Sequence, residues 1–183
     1  MEFNHISVLL EETIDNLNCK SGGIYVDCTL GGAGHSKQIA KRIGSQGRLI
    51  GIDQDKAAIK AASERLSKYQ AEINLVKNNY KNFDSILNQL KIDKVDGVIF
   101  DLGISSHQID KPERGFSYRY EAPLDMRMDQ SANKTAADLV NNLSQQRLTT
   151  IISDYGEENW ASRIAEFIVD YRQEEKIETT TQL

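Results

Sequence analysis

The chain of 183 residues is poor in the features that would tie it to a membrane, to an oxidising compartment or to a metal. No apolar run approaches the roughly 20 residues that a membrane-spanning helix needs. The first residues, Met1-Glu2-Phe3-Asn4-His5, carry an acid and no basic stretch ahead of an apolar one, so a secretory leader is not expected. Only two cysteines occur, Cys19 and Cys28. Two isolated thiols fit a reduced, cytoplasmic protein rather than a disulfide framework. The three histidines (His5, His35, His107) are scattered and share no ligand spacing with the cysteines, so no metal site is expected. Positive charge is also in deficit. A net charge of -5 argues against a protein that coats nucleic acid, but leaves room for an enzyme with one basic face. With 39% hydrophobic and 27% charged residues, the chain should fold as a soluble globule.

What is present is an alternation of two periodicities. Ile24–Leu30, Arg48–Asp53, Ile73–Val76 and Val95–Leu102 are short, apolar and bounded by Gly, Asn or Asp, as strands buried on both faces should be. Between them His35–Ile43, Lys56–Tyr69 and Tyr80–Leu90 space apolar residues by three and four, which predicts helices. Asp55 is placed to cap the second of these, and a further helix over Ser7–Leu17 precedes the first strand. Strands and helices in strict alternation imply a parallel sheet with right-handed crossovers. Residues 103–132 read as loop, and Thr135–Asn142, Gln145–Tyr155 and Glu157–Arg172 as helices. The closing IETTTQL reads as a polar tail. The expected division is 1–110 and 111–183.

The chemistry gathers at strand ends. Asp27-Cys28-Thr29-Leu30-Gly31-Gly32-Ala33-Gly34-His35 runs from a strand through a glycine-rich turn into a helix. Glycines let the backbone approach a ligand, and a helix start offers N–H groups to an anion. The dinucleotide pattern G-x-G-x-x-G fails because Lys37 stands at its third glycine, and no Gly-Lys-Ser/Thr of a phosphate loop occurs. Asp53 closes the second strand, where a carboxylate can accept both hydroxyls of a ribose. That marks an adenosine ligand without naming it. Tyr80 follows the third strand and could stack near the adenine or simply pack. Asp101 ends the fourth strand, beside the first, and its position suits a catalytic or cofactor role.

The pattern D-x-x-x-G-x-x-G from Asp27 to Gly34 resembles the first motif of class I methyltransferases. Longer blocks sharpen the resemblance. HISVLLEE (5–12), TLGGAGHS (29–36), DLGISSHQID (101–110), ERGFSY (113–118), PLDMRMD (123–129) and YGEENWASRIAEFI (155–168) are similar, in order, to the signature blocks of the RsmH/MraW family. His107 stands where proline is common in that family, and Tyr80 where phenylalanine is frequent. The resemblance implies a Rossmann-like α/β fold with sheet order 3-2-1-4 and a helical segment inserted after the fourth strand. It implies S-adenosyl-L-methionine as cofactor, contacted by Ala33, Gly34, His35, Asp53, Tyr80, Asp101 and Gln108. It also implies methylation of the N4 amino group of a cytosine in small-subunit (16S) ribosomal RNA, free or in a ribosomal particle.

Methyl transfer to an aromatic amine needs in-line geometry and relief of lone-pair conjugation more than a strong base. The Asp101 carboxylate, or a carbonyl of Gly103–Ser105, could hold the amino hydrogens of a cytosine splayed out of its stack. Lys111, Arg114, Arg119 and Arg127 read equally as an arc against RNA or as salt-bridged loop residues. Phe116, Tyr118 and Tyr120 read as base-stacking or as packing. Two other functions stay open: an NAD-linked oxidoreductase, and a non-catalytic ribosome-assembly fragment that keeps the fold. The family resemblance implies more chain after Leu183. Four strands leave the sheet incomplete and its fourth strand at an edge, so weak turnover and a homodimer through that edge are expected of this length alone.

Overall fold

The structure is a computed structural model that describes residues 7–183. His5 and Ile6, which open the 5–12 block, lie outside the described residues. The chain divides into two compact units, residues 1–104 and 105–183.

The first unit begins with α1 (Leu10–Leu17) and continues β1 (Ile24–Asp27), α2 (Gly34–Ile43), β2 (Arg48–Asp53), α3 (Lys56–Leu66), β3 (Glu72–Lys77), a 3-10 turn at Tyr80–Asn82, α4 (Phe83–Gln89) and β4 (Gly97–Ile99). All ladders are parallel and the order is β3-β2-β1-β4. Alternation along the strands explains why both faces are apolar. Tyr25, Leu49 and Ile99 point to one side, where Ile14 of α1, Ile39 and Ile43 of α2 and Leu66 of α3 close over them. Val26, Ile50 and Ile52 point to the other, against Ile86 and Leu87 of α4. The chain therefore winds outward from β1 to β3 on one face and crosses back over the other to β4. The order reverses between β1 and β4, which is where ligands enter open parallel sheets.

The second unit holds α5 (Ser106–Asp110), a 3-10 turn at Pro112–Arg114, α6 (Ala136–Asn142), α7 (Gln145–Gly156) and α8 (Ala161–Glu174). Leu124, Val140, Leu148, Ala165, Ile168 and Ile177 form its core. The blocks ERGFSY and PLDMRMD are knitted together here. Arg114 is buried and its Nη2 donates to the carbonyls of Arg127 (3.0 Å) and Met128 (3.2 Å). Arg127 grips Asp125 with two bonds, Nε to Oδ1 at 2.9 Å and Nη2 to Oδ2 at 2.6 Å. That guanidinium holds the Asp125 carboxyl below its ordinary value. Lys111 pairs with Glu113 at 3.6 Å, while Arg119, Tyr118 and Tyr120 are exposed. Three of the four bases thus have partners inside their own loops.

Several expectations need correction, among them the first strand, which ends at Asp27 and not at Leu30. The fourth strand is three residues long, not eight, because β1 offers ladder partners only from Tyr25 to Asp27. The 103–132 stretch is not all loop: Ser105 and Gln108 form a reciprocal capping box that starts α5. The tail is packed. Ile177 is buried, its N–H and C=O both bond the Asn141 amide, and Thr179 bridges to Pro123.

Candidate functional site

The turns that follow the four parallel strands emerge at one edge of the sheet. The one after β1 is the most constrained. Gly31 (φ 47°) and Ala33 (φ 60°) both adopt left-handed backbone. For alanine that conformation costs roughly 1–2 kcal/mol, a strain that persists only where surroundings impose it. Asp27, buried at the end of β1, staples the turn to α2. Its Oδ1 accepts the Thr29 N–H (3.1 Å) and its Oδ2 the Ser36 hydroxyl (2.6 Å).

Burial raises the Asp27 carboxyl above its ordinary value. The bonds from Ser36 and Thr29 and the nearby His35 oppose the rise, and Asp53 adds to it. The folded form then binds a proton more readily than the unfolded one. Its stabilising contribution is present at low pH and declines as pH rises through the window above an ordinary aspartate, about 3.9. Asp27→Asn should remove that slope. The difference in urea midpoint between variant and parent should move in the variant's favour from about pH 4 to about pH 7. A constant difference across that range would show that the Asp27 charge carries no such penalty.

Asp53, at the end of β2, is partly buried and holds two backbone N–H groups. Oδ2 accepts from Gly31 (2.8 Å) and Oδ1 from Asp55 (2.8 Å). Desolvation raises its carboxyl above the ordinary value, against the pull of those bonds. Asp55 caps α3 through Ala57 N–H, as its position in the sequence implies. After β3, Asn79 caps the 3-10 turn and its amide donates to the Gln54 side chain (2.8 Å). Tyr80 is 38% exposed and meets Phe100 edge to face at 5.6 Å.

The turn after β4 returns to the one after β1. Asp101 N–H donates to Thr29 Oγ1 (2.7 Å), and Asp101 Oδ2 lies 3.9 Å from His35 Nδ1. The other ring nitrogen of buried His35, Nε2, is 3.2 Å from the Val8 carbonyl, which makes Nε2 the protonated nitrogen of that bond. Gly34 opens α2, and a Cβ there would meet the Ser7 hydroxyl, which would have to turn aside. Ala33, Gly34, His35, Asp53, Tyr80 and Asp101 all belong to the turns or helix starts at this edge. Gln108 lies in the second unit, buried, with its side-chain oxygen accepting the Ser105 N–H (2.9 Å). Reasoning from sequence missed Phe100, although it adjoins Asp101. It also missed Arg65 of α3, which no local pattern marks.

A glycine-rich turn at the switch point, an acid closing β2 and an acid after β4 define the Rossmann-like fold of class I S-adenosylmethionine-dependent methyltransferases. The chain belongs to the MraW methylase family, whose model matches residues 2–183. It is 58% identical over 183 residues to a ribosomal RNA small subunit methyltransferase H of Clostridium botulinum (strain 657 / Type Ba4), covering all of this chain and 59% of the relative. It is 59% identical to that of Lachnospira eligens (all of this chain, 58% of the relative) and 55% to that of Clostridioides difficile (all of this chain, 59% of the relative). The chain therefore spans less than two thirds of the length of these curated relatives. Among solved structures it is similar to an rRNA methylase from Streptococcus thermophilus, at 20% identity, 77% of this chain, 83% of that one and a TM-score of 0.45.

Proposed function

We propose that the chain carries the cofactor-binding part of an S-adenosyl-L-methionine-dependent methyltransferase acting on N4 of a cytosine in small-subunit (16S) ribosomal RNA. The observation that carries this reading is the Asp53–Gly31 bond beside the strained turn. It sets a desolvated carboxylate against the backbone that an adenosine-bearing ligand must approach. The residues present fit such a group: Asp53 retains lone pairs for two ribose hydroxyls, and Ala33, Gly34 and His35 start a helix whose first turn has no side-chain cap.

S-adenosyl-L-methionine supplies an electrophilic methyl group on a sulfonium. The protein's task is then positioning. Asp101, with its side chain 42% exposed, can accept a hydrogen bond from an exocyclic amine and localise its lone pair. Thr29 fixes the Asp101 backbone, and buried His35 lies 3.9 Å from the carboxylate. Tyr80 and Phe100 offer an apolar wall for a flat ring. Partners under this reading are ribosomal RNA or a ribosomal particle, and the compartment is the cytoplasm. Among the described residues no helix is long and apolar enough to cross a membrane. β4 lies at a sheet edge, and a homodimer of this length of chain would use that edge.

The test uses protein extended to the length of its relatives, S-adenosyl-L-methionine, and small ribosomal subunits lacking the modification. Nucleoside mass spectrometry should find N4-methylcytidine. A methyl group at C5, or on a ribosomal protein, would sink the assignment.

A further inference from the structure

The glycine-rich turn is held from outside by two groups at opposite ends of one helical unit. Asp53, just before α3, accepts the Gly31 N–H at 2.8 Å. Arg65, in the last turn of α3, donates from Nη1 to the Gly32 carbonyl at 2.6 Å. A peptide group is rigid and planar, so fixing both of its polar atoms fixes its orientation. The Leu30–Gly31 peptide is fixed in this way: its carbonyl accepts from Ala33 N–H (2.7 Å) and its N–H donates to Asp53. The Gly32–Ala33 peptide is fixed too. Its carbonyl accepts from Arg65 and its N–H donates to the Leu30 carbonyl. Between these two planes lies the Gly31–Gly32 peptide, which starts at left-handed Gly31 and is followed, one residue past its end, by left-handed Ala33.

Glycines alone would let this turn visit many conformations, and ordering it at the moment of binding would reduce affinity. We infer that Arg65 is a positioning residue that pre-organises the glycine-rich turn for its ligand. The inference rests on the proposed function for the identity of that ligand. Arg65 stands beyond the residues the family resemblance assigned, and it acts through the Gly32 carbonyl rather than by touching cofactor. A guanidinium suits the task because its planar fork keeps one N–H directed while the partly buried stem packs.

Two variants test it. Arg65→Met keeps an apolar stem and removes every donor, whereas Arg65→Lys restores one cationic donor. In the ligand-free chain, hydrogen exchange at the Gly31 and Ala33 amides should quicken in Arg65→Met while the β1 and β2 amides keep their rates. Titration with S-adenosyl-L-methionine should show affinity about tenfold weaker in Arg65→Met, with partial recovery in Arg65→Lys. In the longer enzyme the loss should fall on KM for the cofactor and leave kcat unchanged. Unchanged exchange at Gly31 and Ala33 overturns the inference. So does equal acceleration throughout β1 and β2, which would mark Arg65 as a general stabiliser. Parent-like affinity in Arg65→Met overturns it as well. If the parent chain itself fails to bind, the proposed function fails, and the exchange rates alone still decide the role of Arg65.

Discussion

Replacing Asp53 by alanine should weaken binding of S-adenosyl-L-methionine roughly 10- to 150-fold, the equivalent of about 1.5–3 kcal/mol for lost bonds to a charged acceptor. Two effects combine. The ribose loses its acceptor, and the Gly31 N–H loses the oxygen that holds it at 2.8 Å. Stability should fall as well, because Asp55 is buried and its freed N–H loses its acceptor, whereas the half-buried Gly31 N–H is the less costly of the two. Acid should reproduce the effect in the parent. Burial raises the Asp53 carboxyl, so the charged acceptor is lost at a higher pH than for an ordinary aspartate. Affinity should therefore decline earlier on acidification than an exposed aspartate would allow. Calorimetry with parent and variant at two pH values measures both. Equal affinity in Asp53→Ala and parent would remove Asp53 from the site. A rise in melting temperature with NADH, and none with S-adenosyl-L-methionine, would replace the ligand class altogether.

What was legible in the sequence was whatever depends on short-range pattern. β2 begins and ends where Arg48–Asp53 predicts, because both its faces are buried and Gly47 and Asp55 bound it. Asp55 as a cap follows from one residue's chemistry. The switch point follows from strand order, and with it the placement of Asp53 and Asp101. Long-range partners were not legible. The fourth strand reads as continuing to Leu102, yet Phe100 and Leu102 are exposed, since among the described residues no second strand lies beside them to extend the ladder. α8 does not start at Glu157. That residue turns left-handed (φ 51°) to end α7, and Glu158 accepts the Trp160 N–H before the new helix begins. Ile177 looks like part of a polar tail until Asn141 takes both of its backbone groups. Nothing in the sequence marks Arg65, and only the folded chain brings it to Gly32. Ser105-x-x-Gln108 is a readable capping box inside a stretch that its glycines and prolines otherwise mark as loop.

Gly115→Ala should unfold the second unit at a much lower urea concentration than the parent, with a loss of roughly 2–5 kcal/mol from left-handed strain and overpacking together. Gly115 sits at φ 70°, ending the 3-10 turn of Pro112–Arg114. A Cβ added there would lie 2.5 Å from the Pro123 carbonyl and 2.6 Å from the Asp125 nitrogen. Both obstacles are backbone, and neither can move cheaply. Leu124 N–H bonds Glu178 (2.8 Å), its carbonyl accepts from Ala137 N–H (2.8 Å), and Asp125 accepts from Ala136 N–H (2.7 Å). Met126 N–H returns to the Arg114 carbonyl (3.0 Å), so the two blocks would have to separate where they are most tightly joined. Arg114 would then lose the Arg127 and Met128 carbonyls and be left with a buried charge, which adds to the loss. Trp160, the chain's single tryptophan, is the N-cap of α8 in this unit, so its fluorescence reports on the second unit. The first unit contains none of these contacts. Hydrogen exchange in β1 and β2 should therefore stay at parent rates while the Trp160 transition moves to lower urea. A Trp160 midpoint equal to the parent's would mean that the 123–126 backbone yields to a methyl group, and that the joint between the two blocks is softer than its hydrogen bonds imply.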